Sequence, residues 1–269
     1  MAERIDLFDS TYSHFTETVL DAVRKETFGE DIGQNSWVTA GEYDRFIAWL
    51  DLASHHRVLE VASGSGGPAL YLARATGCHV TGIDANGSGV ATASEMAARS
   101  GHDRQVEFKV ADANARLPFE ESSFDGLLCI DSMNHFPDRL SVFREWRRVL
   151  RVGRRAVFTD PVVITGPVTN DELALRSSIG LFLFVPPGVN ESLIEQAGLR
   201  LARQEDATEN ASLVSGRWHR AREAHRNDLM QIEGERRFEG LQRFFEAVHR
   251  LTSERRLSRV AYFVEKVAG

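Results

Sequence analysis

One stretch constrains this chain more than any other: Val58-Leu-Glu-Val-Ala-Ser-Gly-Ser-Gly-Gly67, followed at once by Pro68. An apolar run that ends near an acid, a glycine-rich turn and a proline suited to a first helical turn predict strand, tight turn, helix. Gly64 and Gly66 permit close backbone approach, and the helix start behind them offers unpaired N–H groups to a ligand. More units of the same kind follow. Periodicity predicts strands at 57–61, 79–83, 106–110, 126–130, 156–159, 199–205 and 260–266, with helices at 68–75, 88–100, 140–150 and 190–196. Strands separated by helices of this length predict a parallel, helix-covered sheet, an α/β architecture.

Other segments stand outside the alternation. Residues 1–50 read as helical and amphipathic, with Phe15, Val19, Leu20 and Val23 at helical spacing. A turn-rich break at 29–43 interrupts them, and Thr39 with Glu42 predicts a capping box for a helix through Trp49. The segments 162–188 and 208–256, the second a long helical passage, each leave a strand end. Ligands of open α/β sheets bind outside the carboxyl ends of the strands, so both segments are expected to roof a site.

Composition narrows the function. A chain of 269 residues with 42% hydrophobic residues suits one large soluble domain. Cys78 and Cys129 are too few for a disulfide framework, no apolar run reaches the roughly 18 residues of a membrane span, and MAERIDLFDS lacks a secretory signal. A cytoplasmic protein without membrane contact is therefore expected. The net charge of −7 argues against a nucleic-acid partner. Among the 32 basic residues only Lys25, Lys109 and Lys266 are lysines, and arginines crowd between Arg217 and Arg259. They are either solvated charges or the lining of a pocket for an anionic substrate.

The acids at the strand ends decide between two nucleotide-type ligands. Gly64-x-Gly66-x-x-Ala69 with Asp84 twenty residues on satisfies a dinucleotide fingerprint. Further strands then run into Asp112 and Asp131, so Glu60, Asp84, Asp112 and Asp131 end four successive strands. Such a ring of carboxylates suits a cationic adenosyl ligand and repels a pyrophosphate.

From Arg57 onward this pattern resembles the class I S-adenosylmethionine (SAM)-dependent methyltransferases. The resemblance implies a Rossmann-like, doubly wound, mostly parallel seven-stranded sheet with its last strand antiparallel. Residues 1–50 would form an N-terminal helical cap, and 51–269 a SAM-binding domain with lids at about 162–188 and 208–256. It implies that Glu60, Ala62, Gly64 and Gly66 hold the methionyl end, Asp84 and Ala85 the ribose, and Asp112 and Ala113 the adenine. Ala62 departs from the family, which has a glycine there. Gln34, Ser36 and Trp37 are candidates to cover the methionine end, and Asp131 is either a ligand contact or a helix N-cap. SAM is the expected cofactor, and no metal site is expected.

Methyl transfer mainly requires a positioned, desolvated acceptor, with a base where the acceptor must lose a proton. Asp131-Ser-Met-Asn-His135 resembles the Asp-x-x-x-His run of phosphoethanolamine and sarcosine/dimethylglycine N-methyltransferases, and Tyr12 ahead of Phe28-Gly-Glu30 resembles their N-terminal tyrosine. The resemblance implies that His135 and Tyr12 are catalytic, and it favours N-methylation of a small molecule. Phe158-Thr-Asp-Pro161 and the insert before the last strand also resemble the sarcosine group. Asn134 and Asp160 are further candidates for the pocket wall. The apolar run 179–187 and Trp218, Phe238, Phe244 and Phe245 are either lid core or the lining of an acceptor pocket. The latter would suit O- or C-methylation of an aromatic or prenyl diphosphate metabolite. An NAD-dependent oxidoreductase, a non-catalytic SAM-binding protein and a homodimer are the remaining alternatives.

Overall fold

The computed structural model describes residues 11, 12, 14, 15 and 17–268; the opening residues of the predicted N-terminal helix, 1–10, lie outside them. Seven strands form one sheet: β1 (Arg57–Val61), β2 (His79–Asp84), β3 (Val106–Val110), β4 (Phe124–Cys129), β5 (Leu150–Ile164), β6 (Arg200–Asp206) and β7 (Leu257–Glu265). Their order across the sheet is β3-β2-β1-β4-β5-β7-β6, and β7 runs antiparallel to both its neighbours. This is the Rossmann-like sheet with a reversed last strand.

The register explains why the strands read as apolar runs. Leu59 pairs with Leu127 and Leu127 with Ala156, so Leu59, Leu127 and Phe158 point to one face. Val58, Leu128 and Val157 point to the other. Both faces are covered, which removes the polar half of the usual alternation. The first face packs on α5 (Arg139–Val149) through Phe143 and Trp146, and on α7 (Val189–Gln196) through Ile194. The second packs on α2 (Ala40–Leu50), α3 (Gly67–Thr76) and α4 (Gly87–Arg99), through Phe46, Leu72 and Ala97 among others.

A third apolar cluster lies apart from the sheet. It joins α1 (Thr18–Phe28) to α8 (Thr208–Ala224), α9 (Arg226–Glu233) and α10 (Glu235–Ser253). Phe238, Leu241, Phe244, Phe245 and Val248 recur three and four residues apart along α10 and form its buried stripe. A short α6 (Asn170–Arg176) sits between β5 and α7.

Several expectations need correction. The predicted break in the N-terminal passage falls at 29–39, between the helices Thr18–Phe28 and Ala40–Leu50. At α2 only half of the capping box forms: Thr39 accepts the N–H of Glu42 at 3.3 Å, but the Glu42 side chain leaves for Arg259. The reciprocal box is at Thr169 and Glu172, opening α6. β5 spans 15 residues instead of the four predicted. Its early part, Leu-Arg-Val-Gly-Arg-Arg, has no alternation to read; it is held by Leu150 opposite Phe124 and Arg155 opposite Glu265. No helix among the described residues is long and apolar enough to cross a membrane.

One buried ion cluster ties these layers together. Arg259 of β7 donates through Nη1 to both Glu42 oxygens at 2.8 and 2.7 Å, and through Nε to Asp131 at 2.6 Å. All three side chains are at most 4% exposed. Removing one partner from a buried cluster strands a charge, at a cost of about 3–5 kcal/mol. Glu42→Ala is therefore expected to lower unfolding free energy in urea by that order. Arg99→Ala, which removes an exposed pair with Glu95, should cost about 0–1 kcal/mol.

Candidate active site

The carboxyl ends of β1, β2 and β4 and the segment after β3 open onto one cavity of about 390 Å³. Glu60, Ala62 and Gly64 line it from the first turn, Asp84 and Ala85 from the second, Asp112 and Ala113 from the third, and Asp131 and His135 from the fourth. Tyr12 closes it from the N-terminal side. The residues singled out in the sequence are thus largely brought together, with the exceptions taken up below.

The glycine turn is shaped by crowding. Gly66 has φ 80°, and a Cβ there would lie 2.5 Å from the Phe108 ring and 2.6 Å from Ala93. It permits the turn from behind and does not line the cavity, contrary to the expected ligand contact. Ala62, the departure from the glycine pattern, takes φ 58° all the same, a conformation that costs a non-glycine residue about 1–2 kcal/mol. Asp84 organises the loop: Oδ2 accepts the Gly64 N–H and Oδ1 the Asn86 N–H, each at 2.8 Å. Burial raises its pKa, and the N–H groups of Asn86, Gly64 and Ala85 oppose that rise.

Glu60 is buried more deeply. Tyr43 Oη donates to its Oε1 at 3.3 Å, while Oε2 is buried with no partner. Burial, opposed by the Tyr43 hydrogen bond and reinforced by the charge of Asp84, pushes its pKa up to about 8. Asp112 is exposed and accepts from both the backbone and the side chain of Asn114 at 2.9 Å.

Asp131 is not a helix cap. It sits at φ 54°. Its Oδ1 accepts from Arg259 and from Thr159 Oγ1 at 2.7 Å, and its Oδ2 from the Trp37 N–H at 2.8 Å. The 3-10 turn that follows, Met133–His135, begins at Ser132 without a side-chain cap. His135 Nδ1 lies 2.8 Å from the Leu181 carbonyl and Nε2 lies 3.2 Å from Asn134 Nδ2. A carbonyl only accepts, so Nδ1 carries the proton and Nε2 is the basic nitrogen.

Tyr12 lies at the other end of the cavity. Its ring covers Gly64 and Gly89: a Cβ on Gly64 would come within 2.7 Å of Tyr12 Oη. Asn35 hydrogen-bonds the hydroxyl, and burial, with the nearby charge of Asp84, raises its pKa. Thr92 Oγ1 holds the Tyr12 carbonyl at 3.1 Å.

A second, smaller cavity of about 50 Å³ adjoins the first, sharing Asn35, Ser36, Asp131 and His135 with it. Its far wall is Trp37, Arg176, Ile179, Phe182, Trp218 and the Phe244–Phe245 pair. Here the remaining corrections fall. Trp37 faces this second cavity, not the first. Gln34 faces neither: its Oε1 accepts the Ile32 N–H at 2.8 Å, fixing the loop. Asp160 is also no wall residue, since Arg139 and Asn190 hold it in the core at 2.5 and 2.9 Å. Phe238 is core, whereas Trp218, Phe244 and Phe245 line the cavity.

The arginine-rich stretch does not furnish a pocket. Arg222 pairs with Glu233, Arg226 with Glu223 and Glu239, and Arg256 with Glu172. The arginine in the cavity wall is Arg176, outside that stretch and missed in the sequence. Nothing local marks it: it ends a seven-residue helix, and only the fold brings it to Trp37. Asn35 and Asn86, also missed, sit in loops where no periodicity says which neighbour faces inward. No group of three or more His, Cys, Asp or Glu among the described residues is placed to hold a metal ion.

Comparison with known proteins agrees with this geometry. A family model described as a methyltransferase domain matches residues 58–153. Methyltransferase GfsG of Streptomyces halstedii is 37% identical over 166 residues, 60% of this chain and 58% of its own length, so the match spans little more than half of that relative. O-methyltransferase rstn1 of Aspergillus nomiae is 30% identical over 158 residues, 58% of this chain and 70% of its own. The structure of Haemonchus contortus phosphoethanolamine N-methyltransferase 2 superposes with a TM-score of 0.80 at 18% identity, covering 97% of this chain and 60% of that one. With a relative of that identity and coverage, and the same sheet carrying the same glycine turn, the chain belongs to the class I methyltransferases, whose cofactor is S-adenosylmethionine.

Proposed function

We propose that this chain transfers the methyl group of SAM to a hydroxyl oxygen of a small-molecule acceptor. The observation that carries this reading is His135, placed on the wall common to both cavities with its tautomer fixed by the Leu181 carbonyl. The larger cavity suits the cofactor. Glu60 Oε2, buried and unpartnered, is the acceptor that a ligand ammonium group would satisfy. Asp84 would take the ribose hydroxyls, and Asp112 with Ala113 the adenine edge; the loop N–H groups would meet the methionyl end. When bound, the cofactor supplies an electrophilic methyl on a cationic sulfur.

The chain's own residues then position and deprotonate the acceptor. His135 Nε2 would take the proton of an acceptor hydroxyl held against it, leaving that oxygen nucleophilic toward the methyl group the cofactor would supply. Asn134, whose Oδ1 is buried without a partner, can turn its amide to accept from the protonated ring. The Leu181 carbonyl holds the ring plane throughout. Trp37, Phe182 and Trp218 keep water away from the attacking atom.

Oxygen is favoured over nitrogen, the atom the sequence resemblance favours, on charge. An amine acceptor is a cation near neutral pH, and the second cavity already holds the Arg176 guanidinium. Asp131, the carboxylate on its wall, has both oxygens engaged. The rstn1 relative is named an O-methyltransferase, which supports the same choice.

Three outcomes are expected. Asp84→Ala should weaken SAM binding about 10²-fold by calorimetry, because a partly buried carboxylate and the loop it organises are lost together; unchanged affinity would remove the ribose assignment. His135→Ala should lower kcat about 10²-fold while SAM affinity stays within about threefold. A collapse of SAM affinity would make the histidine a cofactor ligand instead. The third concerns pH. Glu60 is protonated in the free protein below about 8 and must ionise to meet a ligand cation, so SAM affinity should rise with pH up to about 8 and then level off. Titration calorimetry in buffers of different ionisation enthalpy should show proton release at pH 7; its absence counts against Glu60 as the ammonium partner.

A further inference from the structure

Arg176 is 2% exposed, yet it has no ion-pair partner among the described residues, and its Nη1 is buried without a hydrogen bond. Its guanidinium lies 4.7 Å from the centre of the Phe182 ring, 5.2 Å from Phe244 and 5.8 Å from Trp37. Aromatic faces offset only part of the cost of burying a cation. An unpaired guanidinium in such a place costs several kcal/mol. A fold does not ordinarily carry that charge into a cavity wall without a counter-ion for it.

The nearby carboxylates do not supply one. Asp131 spends Oδ1 on Arg259 and Thr159, and Oδ2 on Trp37. Asp160 spends Oδ2 on Arg139 and Asn190, and Oδ1 on the Val162 N–H. Their fields favour the charged guanidinium, although burial brings its pKa down to about 9, so it remains a cation at neutral pH. The planar fork has its donors available, with Nη1 buried and unpartnered.

We propose that Arg176 anchors the acceptor, and that the acceptor is an acidic small molecule: a carboxylate on a flat apolar body. The carboxylate pairs with the guanidinium in the second cavity. The flat body lies against Trp37 and Phe182, and the hydroxyl to be methylated falls at the boundary with the larger cavity, beside His135. This names the substrate class of the reading above and rests on it. Arg176 thereby becomes a specificity-determining residue.

The test uses binding, so that it does not depend on turnover. The full chain is loaded with S-adenosylhomocysteine and titrated with benzoate and 2-naphthoate, then with benzamide and 2-naphthamide. The readouts are calorimetry and the fluorescence of Trp37 and Trp218 in the cavity wall. The acids should bind at least about 30-fold more tightly than their amides. Arg176→Gln should erase that preference and Arg176→Lys retain part of it, with S-adenosylhomocysteine affinity unchanged in both. Equal binding of acid and amide by the unaltered chain overturns the proposal, and this arm stands even if the glutamine variant fails to fold. A folded glutamine variant that still prefers the acid overturns it as well. Turnover is scored separately with hydroxylated acids: acid binding without methyl transfer sinks the transferase reading and leaves the anion anchor intact.

Discussion

A buried guanidinium holds the site together. Arg259, fully buried on the strand that closes the sheet, reaches Glu42 on one side and Asp131 on the other. Asp131 in turn holds the Trp37 N–H, so the N-terminal segment is tethered to the end of the fourth strand through charge and not through packing alone. Desolvating one cation and two anions is expensive, and only near-complete hydrogen bonding offsets it. The geometry meets that demand almost in full, with Arg259 Nη2 the atom left over. Burial works against its charge, but the two carboxylates outweigh it and raise the Arg259 pKa. Asp131 tolerates a left-handed backbone because three partners fix its side chain.

Around that cluster the charges divide. The larger cavity is acidic: Glu60 is buried and Asp84 partly buried, burial raises both pKa values, and both gain from a cation brought near them. The smaller cavity is aromatic, with one guanidinium in its wall among the described residues. Two adjoining cavities of opposite character fit the proposed pairing of a cationic cofactor with an anionic acceptor, each supplying the charge that its own walls lack. His135 belongs to both walls, and it is held there by Leu181, a residue of the roof after β5.

The acids of the first cavity were legible because each ends a strand or closely follows one. A strand's end is a local signal, set by an apolar run meeting a glycine or a polar turn, and in a parallel sheet all such ends lie at one edge. Asp84 and Glu60 could thus be named from spacing. Gly66 was legible as a turn residue, but whether its missing side chain makes room for a ligand or for Phe108 was not, since Phe108 arrives from the third strand. Gln34 and Asn35 show the same limit: adjacent in a loop, one turns into the scaffold and the other into the cavity.

The amino-acid sequence alone determined the sheet, its helices, the glycine turn and the acids along its edge, because these follow from periodicity and from the chemistry of strand ends. The tertiary structure alone decided the second cavity. Its wall is drawn from residues 35–37, the turn at 134–135, the end of α6 and helices α8 and α10, segments with no shared local pattern. It also decided which arginine faces inward. The crowded arginines of the insert meet carboxylates on neighbouring helices, while Arg176, unremarkable in sequence, is carried by packing onto three aromatic rings, with no ion-pair partner among the described residues. Charge pairing depends on distances between elements, and those distances exist only once the chain has folded.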